Sequence, residues 1–201
     1  MKAARGRRPW WSRCLAGLGL AVALAGHAAA GGFHARELPD AAEQPFRLHD
    51  AHGALRTSTE FRGRVVLLFF GFTHCPDVCP TELARLAEAI DLLPPDQARQ
   101  VEVAFITLDP QRDSPQLLRS YVAAFSPDFI ALRGSEEETA ALAKAFRVFY
   151  RRVAGSAPGR YTLEHSAYVH VLDKRGRLRL RIPGSLAIEQ VAEDLRRLLA
   201  E

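Results

Sequence analysis

Val65-Val66-Leu67-Leu68-Phe69-Phe70 is an unbroken apolar run. A strand with one wet face alternates apolar and polar residues, so a run without alternation reads as a central strand covered on both faces. Helices packed over both faces of a sheet supply that cover, which points to an α/β domain. Directly after the run stand Gly71-Phe72-Thr73-His74-Cys75-Pro76-Asp77-Val78-Cys79-Pro80, and then Leu83, Leu86, Ile90 and Leu93 at helical spacing. Cys75 and Cys79 therefore fall at a strand-to-helix junction. There they are exposed enough to react and close enough to share one disulfide or one metal ion.

Further strands and helices alternate behind this unit. Pro80 suits a first helical turn, and Pro94 with Pro95 stops the helix. Val101 to Leu108 reads as a second strand, ending at Asp109 and Pro110. Ser114 and Pro115 open a helix carrying Leu118, Tyr121, Val122 and Phe125. Phe129 to Leu132 reads as a short strand. Ser135 and Glu138 form a capping box for a helix bearing Leu142, Ala145, Phe146 and Phe149. Tyr168 to Leu172 and Leu178 to Ile182 flank the turn Asp173-Lys174-Arg175-Gly176 as a hairpin, and Ile188, Val191, Leu195 and Leu198 mark a last helix. No repeat or low-complexity linker interrupts this order, so residues 31–201 read as one domain.

The charge of +4 is local. Five of the 27 basic residues lie in residues 1–30, which hold no acid; the remainder carries 22 basic against 23 acidic residues. A near-neutral body argues against nucleic acid as a partner. The basic start, the apolar run from Leu15 to Ala25 and the small residues Ala28 to Ala30 have the order of a secretory signal or an uncleaved N-terminal membrane anchor. The expected location is thus outside the cytoplasm: periplasmic, or periplasm-facing and tethered to the inner membrane.

Outside the cytoplasm a cysteine pair is most simply a structural disulfide. Such a bridge stabilises by closing a long loop, and a bridge from Cys75 to Cys79 closes almost none. The spacing therefore favours a redox-active or metal-binding pair. The element order resembles the thioredoxin fold: a central mixed sheet flanked by helices, with a terminal β-hairpin and a C-terminal helix. The spacing is C-x-x-x-C rather than C-x-x-C. Where thioredoxins carry a proline facing the active site, this chain has Leu163-Glu164-His165-Ser166. In that fold His165 lies opposite the two thiols.

GFTHCPDVCPTEL (Gly71 to Leu83), ITLDPQRDSP (Ile106 to Pro115), FRVFY (Phe146 to Tyr150) and EHSAYVHVLD (Glu164 to Asp173) resemble, in order and spacing, the Sco/SenC copper chaperones. Two features depart from that family's usual pattern: Glu164 stands where an Asp often precedes the histidine, and Arg151 to Arg160 is a short form of the usual insertion. The resemblance implies a role in cytochrome c oxidase assembly. The protein would carry copper to the dinuclear copper site of a terminal oxidase, or reduce that site's thiols. Its partners would be the copper-accepting oxidase subunit and a copper donor protein or thiol reductant.

The donor chemistry agrees. Thiolates select Cu(I), and imidazole suits both Cu(I) and Cu(II). Cys75, Cys79 and His165 make a three-donor metal site, whereas a structural zinc site is normally closed by four. Met1 is the one methionine, so an axial-methionine blue-copper site is excluded. Asp77 is a candidate fourth Cu(II) ligand, although a helix N-terminal acid is the simpler role. His74 reads as a supporting residue, His170 as a packed strand residue, His49 and His52 as solvated, and His34 as close to a disordered terminus. Asp109 and Asp113 read as strand-end and helix-cap residues, with Asp109 a further candidate to brace the site loop. The competing reading is an enzyme, a thiol–disulfide oxidoreductase in which Cys75 and Cys79 cycle without a metal. A peroxidase would need an arginine against the thiolate.

Overall fold

The structure, a computed structural model, describes residues 32–39, 42–155 and 160–201. The leader expected over residues 1–30 lies outside them. In chain order the elements are β1 (Arg36–Glu37), β2 (Arg47–Asp50), β3 (Leu55–Thr57), a 3-10 turn (Ser58–Phe61), β4 (Val65–Gly71), α1 (Val78–Asp91), α2 (Pro95–Ala98) and β5 (Val101–Thr107). Then follow α3 (Pro115–Ala123), β6 (Ile130–Arg133), α4 (Glu136–Ala145), β7 (Tyr150–Ala154), β8 (Tyr161–His165), β9 (Val169–Leu172), β10 (Leu178–Ile182) and α5 (Ile188–Ala200).

Among the described residues, one mixed sheet has the order β1-β10-β9-β4-β5-β6-β2-β3. β4 pairs parallel with β5 and antiparallel with β9. Every residue of β4 is buried, as an unalternating run requires. Phe69, Phe70 and Phe105 anchor the core together with Leu83 and Leu86 of α1 and Leu195 and Leu198 of α5. Each such side chain contributes about 1.5–3 kcal/mol through burial. The terminal hairpin turns at Asp173 to Gly176. Asp173 accepts hydrogen bonds from the backbone of Arg175 and Arg177, and Gly176 takes φ 78°, where a Cβ would be strained.

Two expectations are corrected. The helix reaching to Phe149 stops at Ala145. Arg147 adopts φ 55°, Arg147 N–H donates to Lys144 O (3.1 Å) and Val148 N–H donates to Ala143 O (2.7 Å). This is a Schellman ending, with arginine in the left-handed position that usually holds glycine. Phe149 consequently lies outside the helix, 58% exposed. The second correction is His34, which is tied down rather than loose. Its N–H donates to Asp194 Oδ1 (2.9 Å), its ring meets Glu193 Oε2 (2.7 Å), and Ala35 N–H donates to Asp194 Oδ2 (2.7 Å).

A two-stranded ribbon, β7 with β8, stands apart from the main sheet, with Tyr150 opposite His165. It is what brings His165 to the C-terminal end of β4.

Candidate metal centre

Gly71 ends β4, a short turn closes with Cys75 N–H donating to Phe72 O (3.2 Å), and α1 starts at Val78. Cys75 therefore sits before the helix and Cys79 in its first turn. Cys79 is fully buried and Cys75 partly so; neither is bridged. Cys79 N–H points at Cys75 Sγ (3.4 Å), and Cys79 Sγ lies 3.4 Å from His165 Nε2. The two sulfurs and a ring nitrogen of His165 all fall within 4.8 Å of one another, a group that could hold a metal ion.

The ring of His165 is oriented by its neighbour: Nδ1 lies 3.0 Å from Ser166 O, which can only accept, so Nδ1–H donates there and Nε2 faces the thiols. Phe69 and Phe72 meet the imidazole edge-on, at 6.3 and 5.8 Å between ring centres, and fix its plane. Gly71 completes the cradle: a Cβ there would lie 2.7 Å from Cys79 Sγ and 2.8 Å from the Phe105 ring.

The thiols divide one proton. The Cys75 thiol is drawn down to about 4, chiefly because the Cys79 thiol donates to it, with His165 and the N–H groups of Cys79 and Asp77 adding to the effect against partial burial. The Cys79 thiol is pushed far up by the Cys75 sulfur and by its own burial. Cys75 is thus a thiolate at neutral pH, and Cys79 keeps a proton that a metal would displace.

The loop is braced from β5. Asp113, completely buried, accepts from Thr73 N–H (3.1 Å), Thr73 Oγ1–H (2.6 Å) and Thr107 Oγ1–H (2.6 Å). Asp113 is therefore an anchor of the cysteine loop, and Ser114 is the cap of α3. His74 extends this chain, with Nδ1 3.0 Å from Thr73 Oγ1, which is the supporting role expected of it. Asp109 acts one step away. It pairs with Arg112 and accepts from Tyr161 Oη (2.8 Å), while Arg112 donates to Tyr161 O (2.9 Å). That ties the β5–α3 loop to the strand bearing His165. Asp77 occupies the N-cap position of α1, with its carboxylate outside the three-residue group. His170 is buried between Phe70 and Phe146, and His49 and His52 are exposed.

Gly71, Thr73, Asp113, Ser166 and the two phenylalanines carry no chemical label as site residues. The order Phe-Thr-His-Cys and the Asp113 of the ITLDPQRDSP segment were the available signals.

A thioredoxin-like sheet with two thiols and one imidazole at the end of β4 defines a class of thiol and metal-handling domains. The SCO1/SenC family description matches residues 34–200, and the chain belongs to that family. An SCO2-like protein of Rickettsia prowazekii is 39% identical over 134 residues, 66% of this chain and 65% of that protein. The chain spans roughly two thirds of the length of the curated relatives it matches. Among solved structures, apo Sco1 from Thermus thermophilus is 39% identical, with TM-score 0.77 over 85% of this chain and 99% of that one. Bradyrhizobium japonicum ScoI with copper bound is 35% identical, with TM-score 0.72 over 79% and 100%.

Proposed function

We propose that this protein is an exported copper carrier that binds one copper through Cys75, Cys79 and His165 and serves assembly of the dinuclear copper site of a terminal cytochrome oxidase. The observation that carries the reading is the convergence of two thiols and a ring nitrogen of His165 within 4.8 Å. Two soft sulfurs and one borderline nitrogen suit three-coordinate Cu(I), and the open coordination leaves room for a thiol partner to take the ion. Membership of the SCO1/SenC family and the likeness to a copper-bound ScoI support the cargo. Loading releases the proton held on Cys79, so copper affinity falls as the solution is acidified. Residues 1–30 are proposed as the export signal or membrane tether.

The thiolate character of Cys75 favours a second reading, thiol–disulfide exchange with the oxidase subunit's cysteines. His165→Ala separates the two. It should weaken Cu(II) binding strongly, Cu(I) binding less, and leave exchange with small thiols largely intact, because two thiolates alone still hold Cu(I). Unchanged Cu(II) affinity with a collapsed exchange rate would replace the carrier by the oxidoreductase.

A further inference from the structure

Three guanidinium groups gather beside the His165 segment without a carboxylate among them. Arg36 of β1 and Arg181 of β10 are direct partners in antiparallel register, so their side chains leave the same face of the sheet. Like charges placed so are repulsive. Arg181 lies 5.7 Å from the centre of the Tyr168 ring, and its Nη2 donates weakly to Phe146 O (3.4 Å) at the end of α4. That contact leaves its buried Nε–H without an acceptor. Arg147 is the next residue after Phe146. Both Arg36 and Arg147 are exposed, and among the described residues no ion pair engages any of the three. Burial and the charges of Arg36 and Arg147 make it harder for Arg181 to hold its own charge.

Arg147 has a second peculiarity. It occupies the left-handed C′ position of the Schellman ending at φ 55°, where glycine avoids the clash of a Cβ. Its side chain is exposed, without an ion pair among the described residues, and carried on a strained backbone position.

The cluster adjoins the thiol site through a continuous strip. Arg147 leads to Phe149, which is cross-linked to Ser166 by Ser166 N–H to Phe149 O (2.9 Å) and Phe149 N–H to Ser166 Oγ (3.1 Å). Phe149 and Tyr168 are exposed on the His165 side, and Val78 on the cysteine side. Exposed apolar residues beside the reactive groups with a charged margin have the build of a transient interface. Arg36, Arg147 and Arg181 make the margin around Tyr168 positive, while exposed Asp77 flanks Val78 on the cysteine side.

We propose that Arg36, Arg147 and Arg181, set around Tyr168, form a docking site for a carboxylate-rich segment of the protein that exchanges copper or electrons with Cys75 and Cys79; this rests on the site reading above. Carboxylates fit because they accept bidentate guanidinium hydrogen bonds and relieve the repulsion among the three arginines. A protein segment is favoured over a lipid surface because the cluster borders the thiols, where a partner's cysteines must arrive.

The test uses the full chain and two synthetic peptides, each with a Cys-x-x-x-Cys pair flanked by four Glu or by four Lys. In one arm the peptide is a disulfide and the protein a reduced dithiol. Cys75 attacks one peptide sulfur and Cys79 then displaces the mixed disulfide, leaving an oxidised protein and a peptide dithiol. In the other arm, copper-loaded protein faces the reduced peptides. At ~0.01 M salt the acidic peptide should react about tenfold faster than the basic one, and the preference should vanish near ~1 M salt. The triple variant Arg36→Gln/Arg147→Gly/Arg181→Gln should lose the preference at low salt while keeping copper stoichiometry. Arg147→Gly alone should lower the preference yet raise the melting temperature by about 2–4 °C, as relief of strain predicts. A preference untouched by the triple variant would overturn the proposal. So would arginine-dependent sedimentation with anionic phospholipid vesicles in place of peptide discrimination. Absence of copper binding with the exchange preference intact would instead refute the carrier reading and leave the docking site standing.

Discussion

Gly71→Ala probes how closely the cradle is built around Cys79. The added Cβ would stand 2.7 Å from Cys79 Sγ and 2.8 Å from the Phe105 ring. Ordinary contact is about 3.5–4.0 Å, so one or both neighbours must retreat by roughly 1 Å. Phe105 is fully buried within β5, and β4 is held to β5 by a register that pairs Gly71 with Thr107, so little of the movement can be taken up there. Overpacking of this kind costs about 1–3 kcal/mol, readable as a lower urea midpoint with an unchanged slope. The larger effect falls on the metal. Ligand distances in metal sites are held to roughly 0.2 Å, and a 1 Å shift of one sulfur exceeds that several-fold. Copper affinity, measured by competition with a chelator, should fall about 10–100-fold, the range seen when a ligand's support is removed. A variant with lowered stability but unaltered copper affinity would refute the claim that Gly71 positions Cys79 for the ion.

Asp113→Asn would turn an amide N–H₂ toward donors that now converge on a carboxylate, and should cost about 3 kcal/mol in urea unfolding and slow copper loading; an unaffected midpoint would remove Asp113 as the loop's anchor. With the Cys75 thiol at about 4 and Cys79 pushed up, the reduced protein should alkylate at one cysteine down to about pH 5, with mass spectrometry placing the label on Cys75. The Cys75 pKa lies below its unfolded value near ~8.5, so the stabilisation it contributes is full above ~8.5 and lost as the pH falls toward 4. His170, lowered to about 4 by burial and by Arg181, behaves alike: its contribution is present above ~6.5 and lost on descent to 4, a swing of about 3 kcal/mol that His170→Leu should abolish. An acid-unfolding curve unchanged by that substitution would contradict it.

The central strands and the thiol position were legible because each rests on a local cause. Val65 to Phe70 has no polar alternate, and Pro80 with the Leu83–Leu86–Ile90 spacing announces the helix that buries Cys79. What escaped is decided at a distance. The ribbon β7–β8 is short and buries only Leu163, so the alternation Tyr161-Thr162-Leu163-Glu164-His165 is a weak signal; its partner strand and the Arg112–Tyr161 contact hold it. Phe149 continues the helical spacing of Leu142 and Phe146, and only the left-handed turn at Arg147 removes it. Asp113 before Ser114-Pro115 has the local look of a cap, whereas its partner Thr73 lies forty residues upstream. His165 was legible by fold position, while the orientation of its ring depends on the carbonyl of Ser166.

The most direct test of the account is X-ray absorption at the copper edge on protein loaded with one equivalent of Cu(I). The three-ligand site predicts two sulfur donors and one nitrogen donor per copper, with the nitrogen signal lost in His165→Ala and tight binding lost in Cys75→Ala and in Cys79→Ala. A copper bound by sulfur alone in the unaltered protein, or one whose environment survives loss of both cysteines, would contradict the assignment of Cys75, Cys79 and His165 as the site.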